Sequence, residues 1–296
     1  MINKTCVSVG IRGSQHTRLT STMRIRSIAF SILLLMMAHS SLADDKIYSF
    51  AVVPQRPSSE LAAQWLPFLE WVSAKSGVQL RFVTAPDIPT FEKKLAEGEY
   101  DLAYMNPYHY TVFHKKSGYE ALAREKGRTL KGILVVRKDS SIKEIKQLEG
   151  MELAFPAPGS FAASILPRVA LRQLGINVIP KFVKSHESVY LNVEQRHYAA
   201  GGGIESTFDT TDKSIKNNLR VLWSTKEFTP HAIASHPRLP KAIAKKIQET
   251  LVDMANSNEG RQQLSSVNFK EIEAAKDADW NDIRRLKISE VDVRAE

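Results

Sequence analysis

The sequence predicts an α/β fold built as two lobes, and three observations predict it. Short apolar strands alternate with amphipathic helices along most of the chain, a pattern that builds sheets covered by helices. The alternation comes in two consecutive sets. About 250 residues take part, more than one such sheet ordinarily needs.

The opening segment of the 296-residue chain stands outside this pattern. Arg24 and Arg26 precede an apolar run from Ile28 to Ala38, and small residues end the segment at Ser41-Leu42-Ala43. A basic start, a short apolar core and a small-residue cleavage site read as a secretory signal over residues 1–43. The run is short for a membrane span, which disfavours the alternative of an anchor. Met23 offers a second start that would give a leader of ordinary length.

Removing the leader changes the charge argument. The chain carries a net +9, and Lys4, Arg12, Arg18, Arg24 and Arg26 supply five of those charges, leaving +4. A nucleic-acid partner is then not called for. The only cysteine, Cys6, lies in the leader too. The remaining chain is expected to have no disulfide, thiolate metal site or cysteine nucleophile. No metal or other cofactor is expected.

The elements follow in order. Lys46 to Val53 alternates polar and apolar residues as a strand does. From Ser58 to Ser76 the residues Leu61, Trp65, Phe68, Leu69 and Val72 recur at helical spacing, and Gly77 ends the helix. Strands are expected at 79–84, 102–105 and 133–136, and helices at 90–97 and 108–116. The second set has helices at 142–148, 162–174 and 187–195. Its strands fall at 152–155, 178–183, 198–201 and 219–223. A helix over 240–256 follows. Such alternation predicts parallel-type sheets. Val135-Val136-Arg137-Lys138-Asp139-Ser140 passes from strand to polar residues without a Gly/Pro linker, which suits a crossing hinge strand. The expected division is 44–137 for the first lobe, 138–226 for the second, and 227–296 returning to the first.

Candidate binding residues sit where strands end. Ala157-Pro158-Gly159-Ser160-Phe161 follows a strand and opens a helix, whose free N–H groups and positive dipole end attract anions. Ser160 adds a hydroxyl; the plainer reading, a helix N-cap, is compatible. Ser185-His186-Glu187 lies at a second such junction. Gln55 and Arg56 end the first strand, and Arg56 is a natural fork donor to an oxyanion. Asn106 and Tyr108 end another strand of that lobe. Gly201-Gly202-Gly203 lacks the Lys-Ser/Thr of a phosphate loop and reads as a strand where side chains would obstruct.

The ordered series Val53-Pro54-Gln55-Arg56-Pro57, Gln64-Trp65-Leu66-Pro67-Phe68-Leu69, Ala85-Pro86-Asp87, Tyr100-Asp101-Leu102-Ala103-Tyr104, Ile133 to Ser140, Pro158-Gly159-Ser160 and Ser185-His186-Glu187 resembles the periplasmic phosphonate-binding family. These are the receptors of phosphate, phosphite and phosphonate ABC importers. The resemblance implies a type II periplasmic-binding-protein fold, with two α/β lobes joined by crossing hinge strands and the ligand between them. It implies a small oxyanion ligand and an ABC permease in the inner membrane as partners, a periplasmic location and a monomer. His186 matches a ligand-contacting histidine of the family. Phe161 and Ala162 stand in the expected site where relatives carry hydroxyl residues, so two anion donors are missing. An acidic position used for ligand amines reads Ala199, which leaves Glu205 as the nearby amine partner. A membrane histidine kinase is the alternative partner for the same receptor. An enzyme is disfavoured: no G-x-S-x-G elbow is present and the histidines are scattered in sequence.

Overall fold

The computed structural model describes residues 46–288, and before them only positions 1–3, 5, 8 and 10. The leader reading therefore lies outside the described residues. Residues Met1–Asp45 and Lys46–Glu296 form separate compact units.

The chain enters as β1 (Tyr48–Val52), α1 (Ser58–Ser76), β2 (Leu80–Val83), α2 (Ile88–Ala96), β3 (Leu102–Met105), α3 (Pro107–Ser117) and β4 (Glu120–Glu125). It crosses into β5 (Gly132–Arg137), β6 (Glu152–Phe155), α4 (Leu166–Gln173), β7 (Ile179–Phe182), α5 (His186–Glu194), β8 (Ala200–Ile204), α6 (Glu205–Asp209), α7 (Lys213–Lys216) and β9 (Leu219–Ser224). It returns through β10 (Ala232–Ser235), α8 (Lys241–Asp253), α9 (Asn258–Ser266), β11 (Ile272–Ala274) and α10 (Asn281–Arg284). Among the described residues no helix is long and apolar enough to cross a membrane.

These strands form two sheets, ordered β11-β4-β10-β3-β1-β2 and β7-β6-β8-β5-β9. The two are built alike. Parallel strands make one side of each: β1 with β2 and β3, and β6 with β7 and β8. The first strand after each crossing then inserts antiparallel, β5 between β8 and β9, and β10 between β3 and β4. The sheets are therefore mixed rather than purely parallel: β5 runs opposite to the other strands of the second sheet, and β10 and β11 run opposite to the rest of the first.

That pattern also moves the lobe boundary. The first lobe was expected to run to residue 137, but β5 pairs only within the second sheet. The connections are instead the segments 126–131 and 225–231, and they touch. Leu130 N–H donates to Phe228 O at 2.8 Å, and Phe228 N–H to Leu130 O at 3.0 Å. The strand–polar junction at Val135 to Ser140 is the far end of β5, not the hinge.

Local chemistry accounts for most elements. In α1 the stripe Leu61, Trp65, Phe68, Leu69 and Val72 is buried against Phe50, Val52 and Leu102 of the first sheet. Gly77 closes the helix at φ 68, a left-handed cap that glycine adopts freely. The expected helix at 142–148 shrinks to one 3₁₀ turn, Ile145–Leu148, because Gln147 Oε1 takes the N–H groups of Lys143 and Glu144. The expected helix from 162 starts as a π-turn, Phe161–Ile165, before α4. Its carbonyls lie flush on the second sheet: a Cβ on Gly132 would strike Ala162 O, and one on Gly202 would strike Ala163 O. Gly201 and Gly203 are closed off from the opposite face by Val189 and Tyr190 of α5. The triple glycine is thus an interior strand pressed between helices.

Candidate functional site

Each lobe sends a loop into the cleft from the carboxyl end of a strand, where open α/β sheets place ligands. On the first lobe, β1 runs into Pro54-Gln55-Arg56-Pro57 ahead of α1. Arg56 is held at both ends of its guanidinium. Nη1 lies 3.6 Å from Glu60 Oε2, one turn into α1, and Nη2 donates to Thr210 Oγ1 at 2.7 Å. Thr210 follows α6 of the second lobe, so Arg56 spans the cleft.

On the second lobe, β7 leads to Lys184 at φ 78, a left-handed conformation that costs a non-glycine residue roughly 1–2 kcal/mol. The turn delivers Ser185, whose Oγ accepts from Ser188 N–H at 3.0 Å and caps α5. His186 is thereby fixed in the helix's first turn, 3% exposed. Neither of its ring nitrogens has a hydrogen-bond partner in the protein. Burial holds the imidazole down at about 4, and the Arg56 charge pushes the same way. The ring is neutral at neutral pH, with one donor and one acceptor. Leaving such a buried group unpaired costs about 1–3 kcal/mol.

Two chambers flank this pair. One of 270 Å³ lies between Arg56 and Pro57 on one side and His186 and Tyr190 on the other. A second of 350 Å³ lies between Trp65, Tyr104 and His231 and the Ile204–Thr207 stretch. Gln55, Arg56, Thr207 and Thr210 line both. Tyr190 Oη sits 2.9 Å from Thr207 Oγ1, which ties α5 to this shared wall.

His231 is a residue the sequence reading missed. It follows Pro230 at the end of the return crossing, is 6% exposed, and stacks on Tyr104 at 4.9 Å. Its Nε2 lies 3.0 Å from Gln55 Nε2. Burial, and after it the charges of His109, Arg128 and His186, holds its imidazole down at about 3. Histidines scattered in sequence thus reach adjoining chambers, His186 one and His231 the other. No spacing could have revealed it, because the two come from different elements. Among the described residues no group of three His, Cys, Asp or Glu is arranged to hold a metal ion.

The other expected site residues are placed elsewhere. Ser160, Phe161 and Ala162 are buried at 3%, 1% and 1% and line neither chamber. Ser160 does not cap its helix; its carbonyl accepts from Ser164 and Ile165 instead. Phe161 packs edge-on against Phe228 of the crossing at 5.8 Å. Asn106 caps α3 through His109 N–H, and its Nδ2 donates across to Gly159 O at 3.1 Å. It links the lobes rather than walling a chamber. Tyr108 lies on a surface groove with Glu92 and Lys116. Glu205 is exposed at the start of α6, 3.7 Å from Lys131 Nζ, and lines neither chamber. Of the nine candidates, only Gln55, Arg56 and His186 meet.

Comparison with known proteins agrees with this architecture. Residues 50–280 match the family model described as "ABC transporter, phosphonate, periplasmic substrate-binding protein". The phosphate-import protein PhnD of Mycolicibacterium smegmatis is 23% identical over 230 residues, covering 70% of this chain and 72% of that protein. The phosphonates-binding periplasmic protein of Escherichia coli is 22% identical over 292 residues, covering 89% and 84%. Among solved structures, PhnD1 of Prochlorococcus marinus in complex with methylphosphonate superposes with a TM-score of 0.75 at 16% identity, covering 81% of this chain and 97% of that one. The type II periplasmic-binding fold is common to both structures. On these grounds the chain belongs to the family of periplasmic substrate-binding proteins of phosphonate ABC transporters.

Proposed function

We propose that the protein is the periplasmic receptor of an ABC importer and captures a phosphonate-like oxyanion between its lobes, with His186, Arg56 and Gln55 as contacts. The observation that carries this reading is His186: a buried imidazole with two unpartnered nitrogens beside Arg56, which reaches across the cleft. An oxyanion supplies acceptors to both groups. The relatives' names, phosphate import and phosphonate binding, point to the same ligand class. The leader pattern and the family's periplasmic character support a periplasmic location, and the proposed contacts all come from one copy of the chain.

Binding and closure are one event in this reading. Arg56 sits on the first lobe and His186 on the second, so a ligand held by both favours the closed arrangement. A hydrogen bond involving a charged group contributes about 1.5–3 kcal/mol, so a few support roughly micromolar affinity after ordering costs. A permease partner follows from the family; the sensor-kinase alternative has no observation on its side.

Calorimetry with methylphosphonate tests the reading. The purified protein is expected to bind it, Arg56→Ala to weaken binding about 10- to 100-fold, and His186→Ala about tenfold. Binding unchanged in both variants, or no binding of phosphonate, phosphite or phosphate by the unaltered protein, would sink it.

A further inference from the structure

We propose that the larger chamber is a subsite for an uncharged organic substituent on the bound oxyanion, an aryl or hydroxyalkyl group rather than a methyl; this rests on the oxyanion site proposed above. A methyl-bearing tetrahedral oxyanion displaces only a few waters, each about 30 Å³. The 270 Å³ chamber beside His186 already accommodates it, and the 350 Å³ chamber is space beyond that need. The two adjoin, since Gln55, Arg56, Thr207 and Thr210 line both. An oxyanion that takes Arg56 from Thr210 lies where the two spaces meet and directs its substituent past Gln55 into the larger one.

The walls set the substituent's chemistry. Tyr104 is the centre of an aromatic layer, with Trp65 at 4.8 Å, His231 at 4.9 Å and Phe269 at 5.7 Å between ring centroids. Such a layer favours a flat or apolar group. Thr129 and Ser206 line the same space and offer hydroxyls. The charges there are already engaged. Arg128 Nη1 lies 3.3 Å from Glu125 Oε1 and donates to Asn268 O at 3.1 Å. Asp209 Oδ1 is 2.9 Å from Lys216 Nζ. An ammonium or a second carboxylate entering the chamber would meet charges that already have partners. Glu205, the amine partner expected from sequence, lies outside the chamber and faces Lys131.

The test compares methylphosphonate, phenylphosphonate and 2-aminoethylphosphonate by calorimetry on the purified protein. Phenylphosphonate is expected to bind about tenfold more tightly than methylphosphonate, and 2-aminoethylphosphonate no more tightly than methylphosphonate. Ser206→Phe and Gln64→Trp fill the larger chamber from opposite lobes, and neither replaces a residue of the oxyanion site. Each is expected to weaken phenylphosphonate at least tenfold, by occupying its space, and to leave methylphosphonate within about threefold. Because the two variants lie on different elements, misfolding of one leaves the other as the test. Methylphosphonate binding with no preference for the phenyl compound overturns the subsite and spares the oxyanion site, as does equal weakening of both ligands in both variants. Tighter binding of the amine overturns the uncharged class. Failure of all three ligands on the unaltered protein overturns the oxyanion site itself, and the subsite with it.

Discussion

His186 and His231 each present a buried imidazole that the folded protein keeps neutral, at about 4 and about 3 respectively, against an ordinary value of 6.5. The sign of the pH effect follows. Between about 6.5 and 4 the unfolded chain takes up protons at these positions and the folded chain does not. Their contribution to stability is complete above 6.5 and is lost as pH falls below it, by at most about 1.4 kcal/mol per pH unit for each imidazole. The melting temperature of the ligand-free protein is expected to fall between pH 7 and pH 4, and to fall less steeply in His186→Asn. An equal slope in that variant would contradict the burial of His186 as the cause. At this scale the sequence put Arg56 and His186 at strand ends, which are readable from pattern, and in the structure both line one chamber. It did not mark which rim residues turn inward. Asn106 is spent on a cap and a cross-lobe bond, Glu205 faces solvent, and Ser160 is buried away from both chambers.

Among the elements, β8 shows how much a strand can depend on lacking side chains. Gly202 faces the π-turn, and an added Cβ would meet both Ala163 O and the Phe155 ring. Gly202→Ala is expected to destabilise the protein by about 2–3 kcal/mol, read as a lower denaturant midpoint with unchanged slope. A neutral effect would show that the π-turn does not rest on the strand as described. The sequence put a strand at 198–201, two residues ahead of the observed Ala200–Ile204, and its glycines were read as positions where side chains would obstruct. The obstructing groups are helices, not ligand. Strands β4, β10 and β11 escaped notice because Glu120–Glu125 is interrupted by charges and Ala232–Ser235 is only a short run of small residues. Their pairing comes from the sheet they join, which local pattern does not encode.

For the molecule as a whole, two lobes were legible from the doubled βα alternation, but the route between them was not. The crossing at Leu130 and Phe228 is made by two short segments that pair with each other. Neither carries a glycine or proline signature strong enough to separate it from the loops nearby. Two short segments paired side by side are the arrangement that hinged closure of the proposed cleft requires. Arg56 to Thr210 and Asn106 to Gly159 are the polar bonds that bridge the approach. The direct measurement is a crystal structure of the protein with methylphosphonate. The account predicts an oxygen of the ligand within hydrogen-bond distance of a His186 ring nitrogen and of the Arg56 guanidinium, with both lobes in contact with it. A ligand bound by one lobe alone, or away from His186 and Arg56, would contradict it.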